Sequence, residues 1–155
     1  MKLIQKQWLG STPWETVLST NQTLCQVQKT PHQVKPEALS AARQLWDEST
    51  SRSMSLPEAL DICRRCCELG PFIFNNLNAF AAVAKTLVED WAGGLPSVEG
   101  HILSNTVGHY VAGLVGRKEL LDILRHLESR PKPPQPRKAP AQPLMAKAQV
   151  EPTAF

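Results

Sequence analysis

The most apolar stretch of the chain, residues 71–91, has the periodicity of a helix. Its apolar residues recur at alternating spacings of four and three, which is the period of one helical face. They are Ile73, Leu77, Phe80, Ala84, Leu87 and Trp91. Because a helix this apolar is stabilised mainly by packing, the pattern predicts a central helix over 71–91 that the other segments cover.

Start and stop signals predict further helices around the central one. Pro36 opens a helix that ends in the polar run 48–53. Ser55 and Glu58 have the spacing of a capping box, and Gly70 can end the helix that they start. Two more helices are predicted at about 97–115 and 117–129. Since the connections are short, the sequence predicts an all-α fold, a small antiparallel bundle of four to five helices.

The two ends of the chain follow different patterns. Residues 1–35 predict a poorly defined, partly ordered arm, in which a short helix near 13–19 competes with a hairpin that pairs 14–18 with 24–28. Residues 36–129 form the predicted bundle domain. Residues 130–155 hold many prolines and few large apolar side chains, which is typical of a disordered basic proline-rich tail.

The formal net charge of +3 is unevenly distributed. The arm and the tail are basic, whereas the bundle domain carries more Asp and Glu than Lys and Arg. Nucleic-acid binding is disfavoured, because the chain has no dense basic stripe and no RNA-binding aromatic motif. No segment has the roughly 18 consecutive apolar residues that would span a bilayer, and no secretory segment opens the chain, so we expect a cytoplasmic protein.

Three of the four cysteines, Cys63, Cys66 and Cys67, fall within five residues of one predicted helix. On that helix Cys63 faces the other two, and the three could bind a metal together with His101 or His109. The competing interpretation is that they are small core residues, since free cysteine is among the most buried side chains. No second paired-cysteine motif completes a zinc site, and we expect no cofactor.

Small residues repeat every four positions along the predicted 97–115 helix and just beyond it. They are Gly100, Ser104, Gly108, Ala112 and Gly116. Such a row lets another helix approach closely. Its partner is either the central helix or a second copy of the chain, so the row predicts a helix-packing ridge that could support a homo-oligomer.

The tail carries the strongest functional signal. Arg130, Pro133 and Pro136 fit a basic residue followed by PxxP, the pattern read by polyproline-binding domains, and Lys138 completes the reversed order. Phe155 ends the chain with the carboxylate and apolar side chain that suit a PDZ-type groove. The competing interpretation is a proline-rich spacer.

Motifs of the common enzyme classes, such as GxSxG, HExxH and phosphate-binding glycine loops, are missing from the sequence. We therefore expect a non-catalytic helical protein–protein interaction or adaptor module whose proline-rich tail recruits a protein partner. The alternative is a metal-binding or redox-sensing helical bundle that uses the three clustered cysteines.

Overall fold

The computed structural model describes residues 4–129 and has an all-α fold, as the sequence predicts. The helices are α1 (Trp14–Gln28), α2 (Pro36–Thr50), α3 (Leu56–Leu69), α4 (Asn76–Leu87), α5 (Glu89–Gly93), α6 (Ser97–Val111) and α7 (Arg117–Glu128). The predicted bundle of four to five helices is wrong, because these residues form seven. Their only β-type pairings are two isolated bridges, Lys6 with Met54 and Val34 with Phe72.

The first helix is much longer than the predicted segment near 13–19, and no hairpin forms there. Pro13 occupies the N-cap, and no side chain makes a capping hydrogen bond there. A stripe of buried side chains runs the length of the helix, at Trp14, Val17, Asn21 and Cys25. Burial of this stripe overrides the weak helix propensity of residues 19–23.

Helix α3 begins and ends where local signals place it. The Ser55 side chain accepts a hydrogen bond from the Glu58 N–H at 3.4 Å, and Glu58 Oε1 accepts one from the Ser55 N–H at 2.8 Å. At the other end Gly70 adopts the left-handed conformation with φ of 67°. The predicted capping box and glycine stop are both confirmed. Each could be predicted from the sequence because it depends on neighbouring residues alone.

The central helix differs most from its prediction. The chain turns over residues 71–75 before α4 starts, and the helix breaks again at Val88 before the short α5. Asn75 adopts the left-handed region with φ of 69°, which ends any continuous helix from Pro71. Ile73 and Leu77, which the sequence predicts on the core face, are exposed instead.

Helix α6 ends at Val111, earlier than the predicted end near residue 115. Gly113 takes φ of 84°, and the Leu114 N–H donates to the His109 carbonyl at 2.8 Å. This left-handed turn closes the helix. Gly116 lies beyond this turn and is the N-cap of α7.

Four aromatic side chains form the centre of the core. Trp14 of α1, Trp46 of α2, Phe72 of the α3–α4 connection and Phe80 of α4 are fully buried, with ring centroids of neighbouring pairs 6.1–6.5 Å apart. Trp46 Nε1 donates to the Thr12 carbonyl at 2.8 Å. This aromatic cluster joins the N-terminal region to the rest of the domain.

Among residues 4–129, no helix has the length and apolar character needed to cross a membrane.

Candidate functional site

The clustered cysteines lie on the buried face of α3. Cys63, Cys66 and Cys67 are all free thiols packed in the hydrophobic core. Burial raises the pKa of Cys66 to about 12 and that of Cys67 to about 11, and it raises the pKa of Cys63 still further. The positive charge of Arg65 acts on Cys66 in the opposite direction, but the effect of burial is larger. These thiols are therefore neutral and serve as packing groups at physiological pH.

The histidines proposed as metal-ligand partners do not reach the cysteines. His101 and His109 are exposed on α6. Within the described residues, no three His, Cys, Asp or Glu side chains come together in a way that could hold a metal ion.

The row of small residues packs against elements of the same chain at its two buried glycines. A Cβ atom at Gly100 would lie 2.7 Å from the carbonyl oxygen of Ala92, the α5 residue that it faces. At Gly108 it would lie 2.8 Å from Lys85 Cε and 3.7 Å from Ala81 Cβ, both on α4. Of the remaining positions, Ser104 and Ala112 are half-buried, whereas Gly116 is exposed and has no atom within 4 Å of its would-be Cβ.

The proposed partner-binding residues of the tail lie outside the described residues. They are Arg130, Pro133, Pro136, Lys138 and Phe155.

The first surface that the sequence did not predict is an apolar corner formed by Ile73, Phe74 and Leu77 at the start of α4. Their side chains are exposed by 46%, 39% and 54% respectively. Three large apolar side chains within five consecutive positions are a concentrated apolar feature for a protein surface. Two of them, Ile73 and Leu77, belong to the apolar row that the sequence places on the core face of the central helix.

Hydrogen bonds to its backbone fix the shape of the apolar corner. The buried Asn21 side chain donates to the Phe74 carbonyl at 2.8 Å, and the Ile73 N–H donates to the Gln33 carbonyl at 2.9 Å. The Asn76 side chain accepts from the Phe72 N–H at 3.0 Å and donates to the Phe72 carbonyl at 2.7 Å. Hydrogen bonds from α1, from the chain before α2 and from α4 therefore fix the backbone that carries the exposed side chains.

Asn21 connects this turn to the region after α1. Its side-chain oxygen lies 2.8 Å from His32 Nδ1 and accepts a hydrogen bond from Cys25 Sγ at 3.4 Å. Because Asn21 is fully buried, its polar atoms need these partners. The network has a structural role, because the side-chain amide of Asn21 joins α1 to the turn that precedes α4.

The second unpredicted surface is an open polar groove of about 510 Å³ along α3. Residues from the α2–α3 connection, α3 and α6 form it. Its lining consists of Arg52, Glu58, Asp61, Ile62, Arg64, Arg65, Glu68 and Tyr110.

A short hydrogen-bonded chain across the polar groove joins three helices. The Tyr110 hydroxyl of α6 donates to Asp61 Oδ1 of α3 at 2.5 Å, and Arg117 of α7 donates to Asp61 Oδ2 at 2.6 Å. Burial and the hydrogen bond to Asp61 raise the pKa of Tyr110, while the bond to Asp61 also raises the pKa of Arg117. Tyr110 therefore stays protonated and acts as a donor, which suits a structural connection better than a base or nucleophile.

Searches found no match among protein-family models, curated proteins or solved structures.

Proposed function

We propose that the chain is a non-catalytic helical interaction module, in which the apolar corner binds a protein partner and the proline-rich tail recruits one. The observation that carries the proposal is the exposure of Ile73, Phe74 and Leu77 on a backbone held by hydrogen bonds. Aromatic residues such as Phe are enriched in the cores of protein interfaces, where a few buried anchor residues dominate the binding energy. A backbone that is already ordered loses less entropy when a partner binds.

The tail supports the same function through its sequence. Its basic PxxP pattern, from Arg130 to Lys138, supplies the chemistry that aromatic-lined polyproline grooves bind. A segment of this composition has little conformational entropy to lose when it binds in the extended polyproline form.

Titrating the full chain against a panel of purified polyproline-binding domains, with binding followed by calorimetry, tests whether the tail recruits a partner. We expect at least one domain to bind, and the double variant Pro133→Ala with Pro136→Ala to lose that binding. Pro152→Ala is the matched control, because it removes a proline of the tail outside the motif. Absence of binding across the panel, or equal loss in the control, would contradict the role of the tail.

The apolar corner is tested separately by photo-crosslinking. A benzoylphenylalanine placed at Phe74 should form a covalent adduct with one defined partner in cell extract. The same group at Val27, which is 74% exposed on α1, is the control for general surface proximity. Identical adducts from both positions would show that the corner has no partner of its own.

A further inference from the structure

The arginines of the polar groove outnumber the carboxylates with which they can pair. Arg52, Arg64 and Arg65 line it, and Arg117 reaches its edge through the bond to Asp61. Four guanidinium groups thus meet three carboxylates, those of Glu58, Asp61 and Glu68. The groove therefore has a surplus of positive charge within a domain that is acidic overall.

Each carboxylate of the groove is already engaged. Glu58 accepts the Ser55 N–H of the capping box, and the hydrogen bonds of Ser55 lower the pKa of Glu58. Asp61 accepts from both Tyr110 and Arg117. Glu68 lies 3.5 Å from Arg64, the residue one helical turn before it.

Two of the arginines form no ion pair, although the charge of Arg52 acts on Glu58 at longer range and contributes to its lowered pKa. Arg65 is four residues from Asp61 on α3, the spacing of an ion pair, but Asp61 instead binds Tyr110 and Arg117. Within the part of the chain that the structure describes, neither Arg65 nor Arg52 forms a salt bridge. Both are exposed, and both line the same groove. Their planar donor groups are thus free to bind an oxyanion, which guanidinium binds in a bidentate manner.

The walls of the groove are held in place without a ligand. The Asp61 hydrogen bonds connect α3 to α6 and α7, and the Arg64 guanidinium lies 4.9 Å from the centre of the Tyr110 ring, which it covers. The capping box fixes the start of α3 next to Arg52. Binding would therefore need only the two unpaired arginine side chains to become ordered.

We propose that the polar groove binds a phosphate group carried by an extended segment of a partner protein, through Arg52 and Arg65. Its open shape favours this source over a free small molecule, because small-molecule sites usually enclose most of their ligand. Arginine clusters are a recurring solution for phosphorylated peptide segments. This site goes beyond the interaction function proposed above and does not depend on the apolar corner or the tail.

The test uses the full chain and a fluorescein-labelled peptide with one phosphoserine flanked by glycines, with binding followed by fluorescence anisotropy. We expect saturable binding that requires the phosphate, since the same peptide with unmodified serine should not bind. Arg52→Gln and Arg65→Gln should each weaken binding by about tenfold, the usual effect of one charge-assisted hydrogen bond. Both side chains are exposed, so melting temperature should confirm that the variants remain folded.

Arg43→Gln is the matched control, because Arg43 lies on α2, pairs with Glu15 and Asp47, and does not line the groove. It should leave the affinity unchanged. Equal weakening in the control would show that binding depends only on net charge and would overturn the proposal. Binding of inorganic pyrophosphate without binding of the phosphopeptide would also overturn it, in favour of a free small anion.

Discussion

The close approach of α6 to α5 at Gly100 gives a prediction with a definite sign. Gly100 of α6 faces the backbone of α5, where an added Cβ would lie 2.7 Å from the Ala92 carbonyl oxygen. We expect Gly100→Ala to destabilise the protein, although alanine is the better helix former.

Two opposing effects determine the magnitude. Alanine gains at most about 1 kcal/mol over glycine inside a helix, and less near a helix end such as this one. Ordinary contact begins at 3.4 Å, so α5 and α6 must separate locally by several tenths of an ångström. The Ala92 oxygen cannot turn away freely, because it accepts the Leu95 N–H at 3.2 Å. Overpacking against such a fixed group costs about 1–3 kcal/mol, so we expect a net loss of about 1–2 kcal/mol.

Gly108→Ala in the same helix is the matched control. A Cβ at Gly108 would meet the flexible end of the Lys85 side chain, which can move away. Its distance of 3.7 Å from Ala81 Cβ is an ordinary van der Waals contact. We therefore expect Gly108→Ala to be neutral or more stable than the wild-type protein, by up to about 1 kcal/mol. Urea denaturation followed by circular dichroism measures both. A Gly100→Ala protein as stable as wild type, or an equal loss in both variants, would refute the steric argument.

Two further predictions concern α3. The Ser55 hydrogen bonds hold the pKa of Glu58 below its ordinary 4.5. The ionised Glu58 therefore stabilises the fold above that pH, and its contribution to stability is lost as the pH falls through its lower pKa in the folded state. Glu58→Ala should therefore be less stable than wild type at neutral pH in urea titrations, and the difference should shrink below pH 4.5; a constant difference would contradict the linkage. Cys63, Cys66 and Cys67 are buried and have raised pKa values, so a thiol reagent should label them only as fast as the protein unfolds. Mass spectrometry measures the rate of labelling. Rapid labelling of the native protein would show that these thiols are accessible.

The sequence predicts those parts of the fold that depend on adjacent residues. Helix α3 is the clearest case, since its capping box and its glycine stop act within a few positions. Helix α1 is different, because its residues 19–23 favour other structures in isolation. Packing of Trp14 and Val17 into the core outweighs that preference, and the partners of these side chains come from distant segments.

Neither candidate surface can be predicted from the sequence, and the reasons are physical. Ile73 and Leu77 fit a helical period with the core residues after them, and only the left-handed Asn75 places them on the surface. The polar groove depends on bonds between Asp61 and residues 49 and 56 positions away in sequence, which no local pattern encodes. The spacing of the cysteine cluster allows either a ligand set or core packing, and only the fold shows that all three thiols are buried.

The aromatic cluster has a consequence for how the chain folds as it is synthesised. Its four members come from positions 14, 46, 72 and 80, and α1 packs chiefly against α4. No two consecutive helices can bury the aromatic cluster alone, so contacts between residues distant in sequence must form before the core is complete. Folds that depend on such distant contacts form more slowly than folds built from local contacts. On the ribosome, the apolar stripe of α1 stays without its main partner until α4 has emerged, and during that interval it is open to chaperones and to aggregation.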